Sequence, residues 1–405
     1  MNMKCFTICI LFVNCYSIFN FLSGCILNKN PDISGSSRSV EINIDNLNTD
    51  GTVYFSDLFE SFEIIPLETT SESLIGKINS VSLIKNKIII LDRFVSKSVF
   101  LFNINGDFIR KIGRLGKGPG EYILPSSISS DETIGKIAVY DGMLNKISLY
   151  DINGVFEKSI KLKSKIAAKS IELCEDKIYI SNYAHDLISF LVYAIDFDGN
   201  VLGEWLPNTY PEGFSDNTQL STNTIFFQTN KNLKFRNWLM NAVYNIEGNS
   251  INPTILLKSN NNFTKDELVE IKNYQKGNYF MRLLRSNKFI GISSYIEVND
   301  LAILEYLNNS KTYVLFYNHK TGSINCTPLL KFHDDMTNFP GRVMSFFHTA
   351  YDGKLIAPVT GRLMDDLIEN VKESGKFSTN HNLQNLTYNS NPCIVMYKCK
   401  KKPNL

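Results

Sequence analysis

The segment Leu101-Phe102-Asn103-Ile104-Asn105-Gly106-Asp107-Phe108 returns as Leu149-Tyr150-Asp151-Ile152-Asn153-Gly154-Val155-Phe156, with Gly106 and Gly154 lying 48 residues apart. Each copy is an apolar, β-branched and aromatic run broken by Asn-Gly, the strongest short-range hairpin signal. Internal similarity at a period of about 40 to 50 residues, carried by strands and not by helices, is the mark of β-propeller blades.

The Asn-Gly or Asp-Gly marker can be followed along the chain. The first blade is expected over Ile78–Leu83, Lys87–Leu91, Lys97–Phe102 and Asp107–Ile112. Lys136–Tyr140, Lys146–Tyr150 and Val155–Ile160 are the last three strands of the second. The third turns at Asp198-Gly199 and the fourth at Glu247-Gly248. The fifth marker, His319 to Gly322, comes late, so an insertion precedes it; the capping box Thr264-Lys265-Asp266-Glu267 predicts a short helix there. In the sixth blade Lys354–Ala357 is followed by a second helical insertion with Leu363, Leu367 and Val371 on one face and Gly375 as its stop, and then by the strand Cys393–Tyr397. No fourth strand remains, and an open edge is aggregation-prone. Phe62 to Leu67 is expected to fill it. The reading is an all-β, six-bladed β-propeller with two short helical insertions, occupying residues 61–405.

The N-terminus carries an address. Lys4 and an apolar run to Phe21, broken by Asn14, Ser17 and Asn20, form an export signal over residues 1–24 and not a membrane span. Leu22-Ser23-Gly24-Cys25 resembles a bacterial lipobox, which implies lipid attachment at the Cys25 thiol and a membrane partner through that lipid. Residues 25–60 are expected to be a flexible tether, most evidently the polar Asn28 to Arg38. Removing the signal leaves 41 basic and 40 acidic residues, so a nucleic-acid partner is excluded. Cys174, Cys326, Cys393 and Cys399 are scattered, so any disulfide would be long-range, and the spacing singles out no pairing.

After the first hairpin comes Lys111-Ile112-Gly113-Arg114-Leu115-Gly116-Lys117-Gly118-Pro119-Gly120-Glu121-Tyr122. This resembles the loop between blades of NHL-type propellers, and more closely the first-blade motif of the six-bladed β-propeller lipoproteins of Bacteroidetes. Ile64-Ile65-Pro66-Leu67-Glu68-Thr69 and Asn391-Pro392-Cys393-Ile394-Val395-Met396-Tyr397 are similar to that family's opening and closing segments. The resemblance implies a fold and an envelope location, with an outer-membrane lipoprotein as the expectation. It implies no activity.

The glycine-rich loop lacks the GxxxxGK[ST] pattern and leads toward a strand, so it is read as a structural turn and not a phosphate site. Asp92 and Asp141, each ending a second strand, are read as turn residues bonding to local backbone. Neither GxSxG nor HExxH occurs. A metal in a central channel would need convergent histidines and carboxylates, for which His333, Asp335 and His348 are the candidates, but no metal or other cofactor is expected.

Blade topology sharpens the search. Loops after strands two and four emerge on one face of the disc, and the Gly113–Tyr122 loop and both insertions are of this class. Long loops gathered on one side of a rigid scaffold are where function concentrates. Arg93, Phe94, Lys117, Glu121 and Tyr122 are therefore the candidate binding residues. The expected function is a non-catalytic binding or scaffold protein of the cell envelope, its partner a peptide, glycan or envelope protein. The alternative is a propeller lyase or hydrolase with a channel metal.

Overall fold

The computed structural model describes residues 39–404 apart from 184–189, 209–224, 230–231, 238, 274–278, 338–346 and 375–380. The expected export signal, Cys25, the stretch to Arg38 and the helix stop expected at Gly375 lie outside the described residues.

The described strands form six blades. The first is Ser80–Ile84, Lys87–Asp92, Ser98–Asn103 and Phe108–Ile112; the second is Pro125–Asp131, Lys136–Asp141, Lys146–Asp151 and Phe156–Lys161. Ala168–Cys174, Lys177–Asn182, Phe190–Ile195 and Val201–Pro207 make the third, and Gly291–Val298, Leu301–Asn308, Lys311–Asn318 and Ile324–Pro328 the fifth. All are antiparallel meanders. The first strands of successive blades touch in a closed cycle, the sixth returning to the first. Each blade therefore buries both of its faces against its neighbours, and the middle strands read as nearly unbroken apolar runs such as Ile88-Ile89-Ile90-Leu91.

The 48-residue echo has a local cause. At the end of the third strand in blades one, two, three and five an Asn or Asp side chain holds the following turn. Asn103 Oδ1 accepts from the N–H of Asn105 and Asp107 (3.0 and 2.9 Å), and Asp151 Oδ1 accepts from Asn153 and Val155 (2.8 and 2.9 Å). Asp196 and Asn318 repeat the device. Gly106 and Gly154 close these turns at φ +94° and +76°, where a side chain would be strained.

The ring closes as the hairpin count requires. The sixth blade is Thr349–Tyr351, Lys354–Val359 and Cys393–Cys399, and its outer strand is the N-terminal Phe59–Pro66, antiparallel to Cys393–Cys399 with Ile64 opposite Val395. The tether expected up to residue 60 is corrected here. Val40–Asn43 adds in parallel to Ser250–Lys258, becoming a fifth strand of the blade that also holds Phe226–Gln228, Leu233–Phe235 and Ala242–Glu247. Val53–Tyr54 then pairs with Phe332–His333, and a short helix, Phe55–Leu58, leads into the closing strand. Ile42, Ile44, Val53, Phe55, Leu58 and Phe59 are buried, which no solvated tether would allow.

Both insertions are helical. The first holds two helices, Lys265–Asn273 and Tyr279–Arg285, where one was expected. Its capping box forms: Glu267 Oε2 accepts from the Thr264 N–H (2.8 Å) and Thr264 Oγ1 from the Glu267 N–H (3.2 Å). The second holds Arg362–Ser374 and His381–Gln384, with Leu367 and Ile368 buried against the core. The first insertion follows a fourth strand and the second follows a second strand, so the topology puts both on one face. No helix among the described residues is long and apolar enough to cross a membrane. Cys174, Cys326, Cys393 and Cys399 are free thiols.

Candidate functional site

The first strands do not fill the centre of the ring. Between them runs an open channel of about 940 Å³, walled by residues of blades one, two, three, four and six. Its walls are rich in hydroxyls because the innermost strands depart from the apolar pattern, as in Ser80-Val81-Ser82 and Ser126-Ser127-Ile128-Ser129-Ser130.

Several of these serines fasten one inner strand to the next. Ser127 Oγ and Ser129 Oγ accept from the N–H of Ile171 and Leu173 (3.1 and 2.8 Å), and Asp131 Oδ2 accepts from Glu175 (2.7 Å). On the other side Ser130 Oγ donates to Leu83 O (3.0 Å) and meets Ser82 Oγ at 2.7 Å. The outward N–H groups of Ile171, Leu173 and Glu175 on the inner strand of blade three are thus satisfied by side chains.

The two ends of the channel differ. On the loop-rich face it is lined by residues that begin first strands or follow second strands, among them Lys77, Asn79, Arg93, Phe94, Lys169 and His348. Arg93 Cζ lies 5.0 Å and Lys77 Nζ 5.9 Å from the centre of the Phe94 ring, which is 55% exposed. Asp131, Glu132, Thr133 and Tyr351 mark the opposite end. Glu172 stands between, touching solvent through the channel. Desolvation by the surrounding walls pushes its carboxyl up to about 8, with Asp131 adding to the rise and a Ser129 hydrogen bond opposing it. Burial pushes the His348 imidazole down to about 4.

The five candidate binding residues separate. Arg93 and Phe94 sit at the channel mouth. Lys117 is exposed on the glycine-rich loop and does not line the channel. Glu121 belongs to the loop itself: it accepts from the Gly118 N–H (2.8 Å) and from Arg114 Nε (2.8 Å), and these two partners hold its carboxyl below the usual range. Tyr122 is a correction. It is 1% exposed, with its hydroxyl donating to Ile112 O (3.0 Å) and accepting from the Val99 N–H (3.2 Å), so it seals blade one to the loop and offers nothing to a partner.

The loop's structural role is equally plain. Gly113 and Gly120 adopt φ +68° and +67°, and a Cβ on Gly120 would meet the Phe156 ring at 2.9 Å. Lys146 Nζ donates to Glu121 O (2.8 Å), and the Glu121 carboxylate fills the place at the Gly118 N–H that a phosphate would need. Asp92 and Asp141 do more than cap their own turns. Asp92 accepts from Val95 and Ser96 and also from Gly76 and Lys77 in the incoming segment, and Asp141 joins Met143 and Leu144 to Ile123 and Leu124 in the same manner.

His333, Asp335 and His348 do not assemble. His348 lines the channel, His333 is exposed beside Tyr54, and Asp335 accepts from the Ser56 N–H (2.9 Å). Among the described residues no three His, Cys, Asp or Glu side chains form a group that could hold a metal.

Six strand meanders around an open polar channel, sealed by an N-terminal strand, make this a six-bladed β-propeller whose candidate site is the channel and its loop-side mouth. The model of a family described as a domain of unknown function, DUF4934, matches residues 39–398, and the chain belongs to that family. Its span begins where the described body begins. A solved structure of a protein from Bacteroides fragilis, described as exported, is similar at 19% identity, covering 90% of this chain and 99% of that one with a TM-score of 0.70. A member of the DUF4221 family from Bacteroides vulgatus is similar at 14% identity over 85% of this chain and 97% of that one, with a TM-score of 0.49. No curated protein matches the sequence.

Proposed function

We propose that this chain is an exported, lipid-anchored, non-catalytic binding protein of the cell envelope that takes a polar ligand into the mouth of its central channel. The observation that carries the reading is the channel itself: about 940 Å³, hydroxyl-lined, and open beside Arg93 and Phe94 on the face that also bears both helical insertions. A concave space of about 940 Å³ lies within the size range of small-ligand sites. The glycine-rich loop contributes Lys117 to the same face, where a larger peptide, glycan or protein partner would also rest.

Filling the bore from its wall tests the reading. Ser170 lines the channel. Ser170→Trp is expected to abolish ligand-induced thermal stabilisation of the purified full-length protein by any member of an oligosaccharide and peptide panel that stabilises the wild type. Stabilisation that survives with the bore filled would move the site elsewhere and sink the proposal.

Anchoring is tested separately. The apolar run and Leu22-Ser23-Gly24-Cys25 support lipidation at Cys25. Cys25→Ser is expected to shift the protein from the membrane fraction to the soluble fraction and to stop incorporation of a labelled fatty acid. Unchanged fractionation and labelling would remove the lipid from the account.

A further inference from the structure

We infer that the channel mouth is a binding site for an acidic saccharide, its anionic group held by Lys77 and Arg93 with Lys169 nearby, and a sugar ring laid on Phe94. The inference rests on the channel reading and names its ligand class.

Charge is the first ground. The described residues lining the loop-side end include Lys77, Arg93 and Lys169 and no carboxylate, while Asp131, Glu132 and Glu172 lie farther along the bore. Asp92 is next to Arg93 in sequence, but its oxygens are taken by four backbone N–H groups and it does not line the channel. A cleft with cationic residues at its entrance and low-dielectric walls concentrates anions there. The Arg93 guanidinium, on a residue that lines this mouth, can pair through its terminal N–H groups with the two oxygens of a carboxylate or a sulfate.

The second ground separates saccharide from peptide. An extended peptide would bind by adding a strand to the inner edge of a blade, which needs open backbone groups. At the inner strands of blades three and one this is hindered: the N–H groups of Ile171, Leu173 and Glu175 are occupied by Ser127, Ser129 and Asp131, and Leu83 O by Ser130. What the walls present is hydroxyl, from Ser80, Ser126 and Ser170 among others, beside the exposed Phe94 ring at the mouth. Hydroxyl partners with an apolar plate suit a sugar, whose C–H face stacks on an aromatic ring while its rim exchanges hydrogen bonds. The volume accommodates a short oligosaccharide.

Calorimetric titration of the full-length protein in detergent decides the matter. The probes are tetragalacturonate, a heparin tetrasaccharide, a neutral galactotetraose and an acidic Asp-Glu tetrapeptide. At least one acidic saccharide is expected to bind, at least tenfold more tightly than the neutral sugar and the peptide, with affinity falling as salt rises. The two acidic probes distinguish carboxylate from sulfate. Phe94→Ala and Lys77→Gln, both at exposed positions, are each expected to weaken binding at least tenfold, and Arg93→Gln more, its fold checked by circular dichroism. Binding of neither acidic saccharide, or binding unchanged in Phe94→Ala and Lys77→Gln, overturns the inference. Tighter binding of the neutral sugar or the peptide also overturns it, and if that binding is lost in Ser170→Trp the channel reading stands without it.

Discussion

A chain that begins at Leu67 is expected not to fold cooperatively. The deletion takes away Phe59–Pro66, the outer strand of blade six, and leaves the ladder edge of Cys393–Cys399 open. It also removes Phe55 and Phe59 from a buried aromatic cluster. Phe55 lies 4.8 Å from Phe332 and 5.3 Å from Tyr397, and Phe59 5.1 Å from Tyr397. Each fully buried side chain of this size contributes about 1.5–3 kcal/mol. With Ile42, Ile44, Val53, Leu58, Ile64 and Ile65 lost as well, the deficit exceeds the roughly 5–15 kcal/mol that holds a domain folded. Near-ultraviolet circular dichroism and denaturant titration should show no native signature and no sigmoidal transition. A truncated chain with an unchanged midpoint would mean that the ring is closed by other contacts.

Asp92→Ala is the single substitution expected to cost most, about 3–5 kcal/mol. The side chain is 0% exposed, and four N–H groups, of Gly76, Lys77, Val95 and Ser96, end on it at 2.8 to 3.2 Å. Alanine orphans all four and frees the segment that enters blade one. Burial alone would raise this carboxyl, but the hydrogen bonds from Val95, Gly76, Ser96 and Lys77 outweigh it and hold it below its ordinary 3.8. Its stabilisation is therefore present above the unfolded value and is lost as pH falls through the native one. Wild-type stability should drop as the solution is acidified below about pH 4, and the alanine variant should lack that component of the drop. Equal pH profiles for the two proteins would refute the assignment.

The fold was legible because its repeat is written in turn chemistry, which is local. Asn103, Asp151, Asp196 and Asn318 each bond to N–H groups within four residues, so the signal survives wherever the strands drift. Val40–Asn43 escaped notice for the opposite reason. Its alternation of apolar Val40, Ile42 and Ile44 is short, it has no hairpin of its own, and its partner Ile255 lies far along the chain. Tyr122 was misplaced because it adjoins an exposed loop, yet the parallel pairing of Arg114–Leu115 with Glu121–Tyr122 turns its side chain inward. The channel was visible only in outline. The serine clusters of the first strands were the available sign that these strands face no packed core, but whether a ring leaves an open bore depends on how all six blades meet.

The N-terminal strap has a mechanical consequence. Passing from residue 39 inward, the chain is fastened first to blade four by Val40–Asn43, then to the outer part of blade five where Gly51 O accepts from Thr327 Oγ1 (2.7 Å), and only then reaches the seam at Phe59–Pro66. A pull applied ahead of residue 39 is borne by the parallel ladder on blade four, whose strands it loads in shear. The closing strand of the ring lies behind two attachments and carries tension only after both have failed. A load on the N-terminal end of the described body would thus reach the strand that closes the ring last.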